Sequence, residues 1–509
     1  MRISEDGDTL NPESITVLDP ACGSGHILVE AYDCLKAIYL ERGYRSRYIP
    51  RLILENNLYG IDIDTRAAQL ASFALLMKAR EDDRRLFSNP PKLNIIALQD
   101  SQPDRLEELN QDLASTGITQ ADLQELLDLF EHASTFGSLI QVPATFSKKL
   151  PDLEIKLNTG LASGDIFSQQ SAQELLPLVQ QAKLLAKQYD AVIANPPYMG
   201  NKYLNPNLKT YLKKNYLGYE KDLFSAFMIR NLHLTKDSGQ LGFMSPFVWM
   251  FISSYESLRT YFIEQSIITS LIQLEYSGFD GATVPICTFT LSKSHISDFI
   301  GSYIRLSNFK GSENQAPKTL EAIKDPSCGW FFNSKQDDFK KIPGSPISYW
   351  VNDRTWDCFK KSQKISDIAR IREGINTGDN ERFLRRWWEI ALETIGFNYN
   401  CEDGFYYKWA PHNKGGSFRR WYGNQEYVMN WYANGQEIHD YHNVPLDYNG
   451  APVRGKAGFF KESISWSGIS SGSFALRYYP NGFTYDSTAP SIFCRAIDPL
   501  ALSGFLNSE

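Results

Sequence analysis

The stretch Tyr189-Asp190-Ala191-Val192-Ile193-Ala194-Asn195-Pro196-Pro197-Tyr198 constrains the fold more than any other part of the chain. Its apolar residues after Asp190 predict a short buried strand, and Asn-Pro-Pro must end that strand, because neither proline offers an N–H to a ladder. The strand therefore stops at a stiff, exposed turn. On it the Asn195 side-chain oxygen and the Pro196 carbonyl can face the same way, two acceptors for the hydrogens of an exocyclic amino group, while Tyr198 supplies a ring to stack on the base. Held out of the ring plane, the amine's lone pair loses conjugation and becomes a nucleophile. The plain alternative is a strand-ending turn without chemistry, and the chain carries its own control. Asn89-Pro90-Pro91-Lys92 follows no buried strand and lacks the aromatic, so it reads as a loop.

Ile15-Thr16-Val17-Leu18 predicts a buried strand that runs into Asp19-Pro20-Ala21-Cys22-Gly23-Ser24-Gly25, followed by helical periodicity from His26 to Leu40. A strand, a glycine turn and a helix set backbone N–H groups against a ligand, and small residues let it approach. The third glycine of a dinucleotide fingerprint is missing and an acid precedes the turn. That charge suits the ammonium and sulfonium of S-adenosyl-L-methionine better than a pyrophosphate. Asn57 to Asp64 predicts a second strand, with Asp62 for the ribose hydroxyls, Ile61 or Ile63 beside the adenine, and Asp64 as cap of a helix from Thr65 to Arg80.

Residues 101–150 interrupt this pattern with two short amphipathic helices, the second opened by Thr119-x-x-Asp122. Pro151-Asp152-Leu153-Glu154-Ile155-Lys156 reads as an edge strand rather than a metal-binding nuclease set. Gly164-Asp165-Ile166-Phe167 is expected as a strand-end loop in which Asp165 and Ile166 meet the cofactor adenine. After Tyr198 a basic, aromatic loop (Lys202, Tyr203, Lys209, Tyr211, Lys213, Lys214, Tyr216) stands where phosphate contact and a plain solvated face are both open readings. A helix from Asp222 and a strand at Gln240 to Pro246 follow.

The order of these motifs resembles the adenine-N6 DNA methyltransferases of the gamma arrangement over residues 15–295. More narrowly, Asn57 to Arg80, Asn195 to Lys221 and Gly239 to Leu291 resemble PglX, the methyltransferases of BREX phage-defence systems. The resemblance implies a Rossmann-like α/β sheet with helices on both faces, S-adenosyl-L-methionine as cofactor, double-stranded DNA as substrate and other phage-defence proteins as partners. It assigns Asn195, Pro196, Pro197 and Tyr198 to the target adenine. Asp19, Pro20, Ala21, Gly23, Gly25, Asp62 and Ile63 fall to the cofactor, and Phe279 to the other face of the flipped base. PglX-like proteins are much longer, so the chain is expected to be a fragment, and its end, Ala501 to Glu509, shows no helix or cap that would finish a domain.

With 509 residues and 22% charged side chains, the chain is expected to form several globular domains. These are a catalytic domain at 1–300, a connector at 301–345 and an α/β target-recognition domain at 346–509. Arg372 to Phe383 resembles the glycine-rich opening of such recognition domains. Between Phe405 and Asn424 no acid occurs, and Lys414, Arg419 and Arg420 alternate with aromatic rings, a pattern suited to phosphates and guanine edges. An aromatic core with snorkelling lysines is the competing reading. A net charge of −7 confines any DNA contact to such local clusters. Seven scattered cysteines suggest neither disulfide framework nor zinc site, His439 and His442 lack partners at metal spacing, and no membrane or signal segment is apparent, so a cytoplasmic location is expected. Three other functions remain open: a bifunctional restriction–modification enzyme, a protein-glutamine methyltransferase, and a non-catalytic DNA-binding or assembly subunit.

Overall fold

A computed structural model of the chain describes residues 11–276, 278, 284–397, 399, 406–469 and 473–508. Two compact units divide it, 1–360 and 361–509.

The first unit is built on a nine-stranded sheet. Its strands are β1 (Val17–Asp19), β2 (Leu58–Asp62), β3 (Asn94–Ala97), β4 (Tyr189–Ala194), β5 (Thr235–Pro246), β6 (Ile267–Gln273), β7 (Ile286–Ser292), β8 (Ile300–Arg305) and β9 (Phe331–Lys335). They run in the order β3-β2-β1-β4-β5-β7-β6-β8-β9. From β3 to β5 all pairings are parallel, and β7 is antiparallel to both its neighbours. Alternation along the strands feeds two cores. Val17, Leu58, Ala191 and Ile193 pack with α1 (His26–Glu41) and α2 (Thr65–Asp82). Leu18, Tyr59, Ile61 and Val192 face four helices on the opposite side: α3 (Leu106–Asp112), α4 (Gln120–Phe130), α5 (Leu150–Leu161) and α6 (Ile166–Ala186). The sheet is thus covered on both faces, as a parallel sheet requires. A third core surrounds β5, β6 and β7 with α7 (Pro206–Asn215), α8 (Leu223–Leu234) and α9 (Glu256–Gln265).

Several expectations need correction. The helical crossover between β3 and β4 continues past residue 150 to Ala186. Pro151 to Lys156, expected as an edge strand, lies in α5, because Leu150, Leu153 and Leu157 are buried at helical spacing and Lys156 reaches back one turn to Asp152 at 2.8 Å. The basic stretch after Tyr198 is largely helix, started by the Asn205 cap and Pro206 in the first turn. Residues 301–345 are no connector, since β8 and β9 extend the sheet and α10 (Ser312–Lys324) covers their end. Buried Arg259 ties the segment after them to α9, donating to the carbonyls of Trp249, Ile252 and Gly344.

The second unit holds two four-stranded sheets. One is β10 (Ala369–Arg372), β17 (Ser491–Cys494), β14 (Ser463–Ser465) and β15 (Arg477–Tyr479); the other is β11 (Leu384–Arg386), β13 (Tyr427–Asn430), β12 (Trp409–Asn413) and β16 (Thr484–Tyr485). The expected uncapped end is also corrected. Asp498 caps a helix at Pro499–Leu506, and the Asn507 amide closes on the backbone of Leu476 in both directions.

Arg259→Met should lower unfolding stability by on the order of 3 kcal/mol, because three buried carbonyls lose their donor. Chemical denaturation followed by far-UV circular dichroism measures it, and an unchanged midpoint would show that residues 342–350 do not depend on this anchor.

Candidate active site

β1 ends at Asp19, and the turn beyond it folds back on β2: the Cys22 N–H donates to Ile61 O at 3.0 Å, and the Gly23 N–H to Asp62 Oδ2 at 2.8 Å. Gly25 sits at φ 85°, and a Cβ there would come within 2.9 Å of the Ala71 Cα, so glycine lets α1 start hard against α2. The other Asp62 oxygen accepts the Asp64 N–H at 2.9 Å, and Asp64 caps α2 through the N–H groups of Arg66 and Ala67. Asp19 is buried, and its Oδ1 accepts the Ala21 N–H at 3.1 Å. Burial pushes its carboxyl up to about 7 against that bond, and Asp62 adds to the rise. Among the described residues no lysine or arginine pairs with Asp19 or Asp62. Two acids beside a glycine turn, without a cation of the protein's own, fit a ligand that carries positive charge and hydroxyl donors.

The Asn195 turn leaves the end of β4, next to β1. Pro196 is buried while Asn195 and Pro197 are exposed. Tyr198 is half-buried, its ring edge-on to Phe224 with centroids 6.4 Å apart, and its hydroxyl donates to Asn195 Oδ1 at 2.8 Å. Burial pushes the Tyr198 phenol up to about 12, so it is a donor at neutral pH. Beyond it the chain is pinned to the start of α8. Asp222 accepts the Met199 and Phe224 N–H groups at 3.1 and 3.3 Å, and Leu223 N–H donates to Met199 O at 3.0 Å.

A cavity of about 240 Å³ joins the turns. Pro20 and Ala21 come from the first, Asp62 and Ile63 from the second, and Pro197 from the third. The remaining wall is Thr135 to Leu139 with Leu208, Leu223 and Phe227. The sequence reading missed this wall. Residues 135–139 lie in the long crossover with no motif to mark them, and only Gly137 hints at their role, since a Cβ there would stand 3.1 Å from Ile63 Cγ2. They are fixed from three sides. The Ser138 hydroxyl donates to Pro20 O at 2.6 Å, the Tyr211 and Tyr216 hydroxyls donate to Leu139 O, and buried Arg230 donates to Ser138 O at 2.8 Å.

Other expected residues lie elsewhere. No strand precedes Asp165, which instead caps α6 by accepting the Phe167 and Ser168 N–H groups at 3.3 and 3.0 Å, and Ile166 is 73% exposed. Their expected place at a strand end is thus corrected to a helix start. Lys202 and Lys213 are exposed, the second on α7. Phe279 lies outside the described residues. Lys414, Arg419 and Arg420 share the loop between β12 and β13. Lys414 Nζ stands 3.8 Å from Asp486, Arg419 is exposed, and Arg420 lies over the Phe418 ring at 6.0 Å. His439 is buried against Pro445 O at 2.7 Å, and His442 Nε2 approaches the carbonyls of Asn376 and Thr377.

Known proteins resemble the chain in sequence and in fold. Residues 56–279 match the family described as Eco57I restriction-modification methylase, and residues 10–100 match the DNA-methyltransferase domain of MmeI. The chain is 39% identical over 523 aligned positions to BrxX of Escherichia coli O9:H4 (strain HS), covering 98% of this chain and 42% of that protein. It is 35% identical over 515 positions to PglX of Lacticaseibacillus casei (strain Zhang), with the same coverage. Both relatives are adenine-specific methyltransferases. The chain spans about two fifths of their length. Among solved structures, the type IIL restriction-modification enzyme MmeI in complex with DNA superposes with a TM-score of 0.52 at 14% identity, over 98% of this chain and 58% of that one. A nuclease-deletion mutant of the type ISP enzyme LlaGI with a DNA substrate mimic gives 0.52 at 10% identity, over 95% and 40%. The α/β fold is shared with MmeI and LlaGI.

Asp19 yields a pH prediction. Its carboxyl titrates near 7 in the fold and near 3.8 unfolded, so the folded protein binds the extra proton between these values and this group lowers ligand-free stability as pH rises through that window. Affinity for S-adenosyl-L-methionine, read by calorimetry, should rise from pH 6 to pH 8 as Asp19 ionises, and Asp19→Asn should flatten the profile. A wild-type profile already flat across that range would remove Asp19 from the binding charge.

Proposed function

We propose that the chain is the catalytic and recognition portion of a DNA adenine-N6 methyltransferase of bacterial phage defence. The observation that carries this reading is the single cavity lined by Pro20, Asp62, Ile63 and Pro197, in which the expected cofactor turns and the expected base turn meet. When bound there, S-adenosyl-L-methionine supplies an electrophilic methyl group. Asp62, with one hydrogen bond already on each oxygen, keeps a lone pair on each for ribose hydroxyls. Ile63 offers an apolar face beside them, and Asp19 gives the methionine ammonium a buried counter-charge.

A duplex adenine cannot bring its N6 into such a cavity while stacked, so it must rotate out, and stacking on Tyr198 returns on the order of 1–3 kcal/mol of what is lost. The Asn195 side-chain oxygen and the Pro196 carbonyl take the amino hydrogens and leave the nitrogen lone pair free for in-line attack. The exposed lysines of α7, Lys202 before it, and the loop from Lys414 to Arg420 are the DNA contacts in this reading. Its support is their charge, the exposure of Lys202, Lys213 and Arg419, and the names of MmeI and LlaGI, whose structures were solved with DNA or a DNA substrate mimic. Other phage-defence proteins as partners rest on the resemblance to PglX. No helix among the described residues is long and apolar enough to cross a membrane.

Transfer of labelled methyl groups to unmethylated genomic DNA, measured on the longer native chain and followed by mapping of modified adenines, tests the reading. Asn195→Ala should reduce transfer by about a hundredfold or more, because the acceptor that orients the amine is gone, with cofactor affinity nearly unchanged. Equal loss of both would contradict the assignment. Magnesium-dependent cleavage of DNA by the same preparation would favour a bifunctional restriction–modification enzyme.

A further inference from the structure

Residues 466–468, 473–475 and 477, at β14 and β15, and Phe418 of the basic loop after β12 line a second cavity, of about 250 Å³, in the C-terminal unit. Phe418, Trp466 and Phe474 give it aromatic walls, and Ser467, Ser473 and Arg477 are its polar side chains. Arg477 is 1% exposed. One of its terminal N–H groups donates to the Ser467 hydroxyl at 3.2 Å, the Tyr479 hydroxyl lies beside the guanidinium, and the Nε–H has no acceptor among the described residues. No carboxylate pairs with it among those residues. Between Glu462 and Asp486 the chain contains no acid, and Asp486 is engaged by Thr488, His412 and Lys414. A buried guanidinium whose Nε–H has no acceptor and which has no carboxylate partner among the described residues is unfavourable unless something from outside completes it.

We propose that Arg477 is a specificity-determining residue that reads a guanine of the DNA sequence the protein recognises, a role that rests on the DNA-methyltransferase reading above. Guanine presents N7 and O6 side by side, the pair of acceptors that an arginine fork takes bidentately. The three aromatic rings favour a base. Phe418 and Phe474 are 51% and 59% exposed, and rings of this kind can cover the plane of a base. The site is continuous with the cationic loop, since the Trp421 N–H donates to Leu476 O and the Tyr478 N–H to Trp421 O, so Arg419 and Arg420 stand beside it to hold the backbone.

The test compares wild type, Arg477→Lys and Arg477→Met in the longer native chain, using selection from a pool of random-sequence duplexes at fixed salt and the melting temperature without DNA. Wild type should enrich a motif containing guanine. Both variants should lose discrimination at one guanine position by about tenfold or more while keeping the other positions, as expected for one bidentate contact. The Met variant should melt at the wild-type temperature or above it, because an uncompensated buried charge has been removed. Retained preference at every guanine overturns the proposal. So does weakening that is uniform across sequences, the mark of a phosphate contact, or a lower melting temperature in both variants with loss of all binding, the mark of a structural arginine. Wild type that binds no duplex overturns the DNA reading and this proposal with it.

Discussion

The carboxylate of Asp190 fixes the part of the sheet on which the site depends. Its Oδ2 accepts the N–H and the hydroxyl of Thr16 at 2.8 Å each, its own N–H donates to Thr16 Oγ1 at 3.1 Å, and Lys236 Nζ reaches both oxygens at 2.9 Å. Thr16 leads into β1, Asp190 is in β4 and Lys236 is in β5, so one side chain joins three neighbouring strands. Burial raises its pKa, but Lys236 and Thr16 outweigh that and hold the carboxyl below its ordinary range. This matters because register in a parallel sheet is exacting. A slip of one residue would send Val192 to the wrong face and turn the Asn195 loop away from the site. With Leu18 opposite Val192 and Asp19 opposite Gly60, the chain leaves β1, β2 and β4 within a few residues of one level. The three turns meet because their strands are parallel and their ends are aligned.

Alignment gives an open edge, and the crossover closes it. Residues 135–139 are held to β1 through Ser138 and Pro20, to α7 through Tyr211 and Tyr216, and to α8 through Arg230. Burial lowers the Arg230 pKa, while the surrounding tyrosines favour its charge. The guanidinium also donates to Leu185 O at 2.8 Å, which locks the end of α6 to the same wall. The cavity is therefore bounded by elements far apart in the chain, and its shape depends on a buried cation whose acceptors are mostly backbone carbonyls.

Legibility in the sequence follows from this division. While β3 was not read, the strands β1, β2 and β4 and the turns after them were readable, because a buried strand followed by Asp-Pro-Ala-Cys-Gly-Ser-Gly or by Asn-Pro-Pro-Tyr carries its constraint locally, in φ angles, missing donors and small side chains. The Asp64 and Thr119 caps were readable for the same reason. What failed was whatever needed the third dimension. Gly164-Asp165 looked like a strand end, yet an acid after a glycine also caps a helix, and the 21 residues of α6 decided between them. Residues 151–156 alternate polar and apolar over too short a window, and only the longer spacing of Leu150, Leu153 and Leu157 reveals the helix. The wall at 135–139 has no pattern of its own. Arg477 was passed over because its burial, the feature that sets it apart from the other arginines of its unit, is not written in the residues beside it.

The hydrogen bond between Tyr198 and Asn195 bears on how such a turn can wait for a substrate. Asn195 Oδ1 is the acceptor an amino group would need, and in the free protein the Tyr198 hydroxyl holds it at 2.8 Å. The bond keeps the amide satisfied and oriented without a base in place. A net neutral hydrogen bond is worth about 1 kcal/mol, and the carbonyl oxygen has a second lone pair, so an incoming amine can share the acceptor or exchange for the hydroxyl at little net cost. A salt bridge or a metal at the same position would hold the amide far more firmly and would have to be broken on every turnover. Under the proposed function a tyrosine three residues along the same turn avoids that cost, because the ring that would stack on the base and the hydroxyl that keeps the acceptor ready belong to one side chain, and a base that displaced the hydroxyl would arrive against the ring.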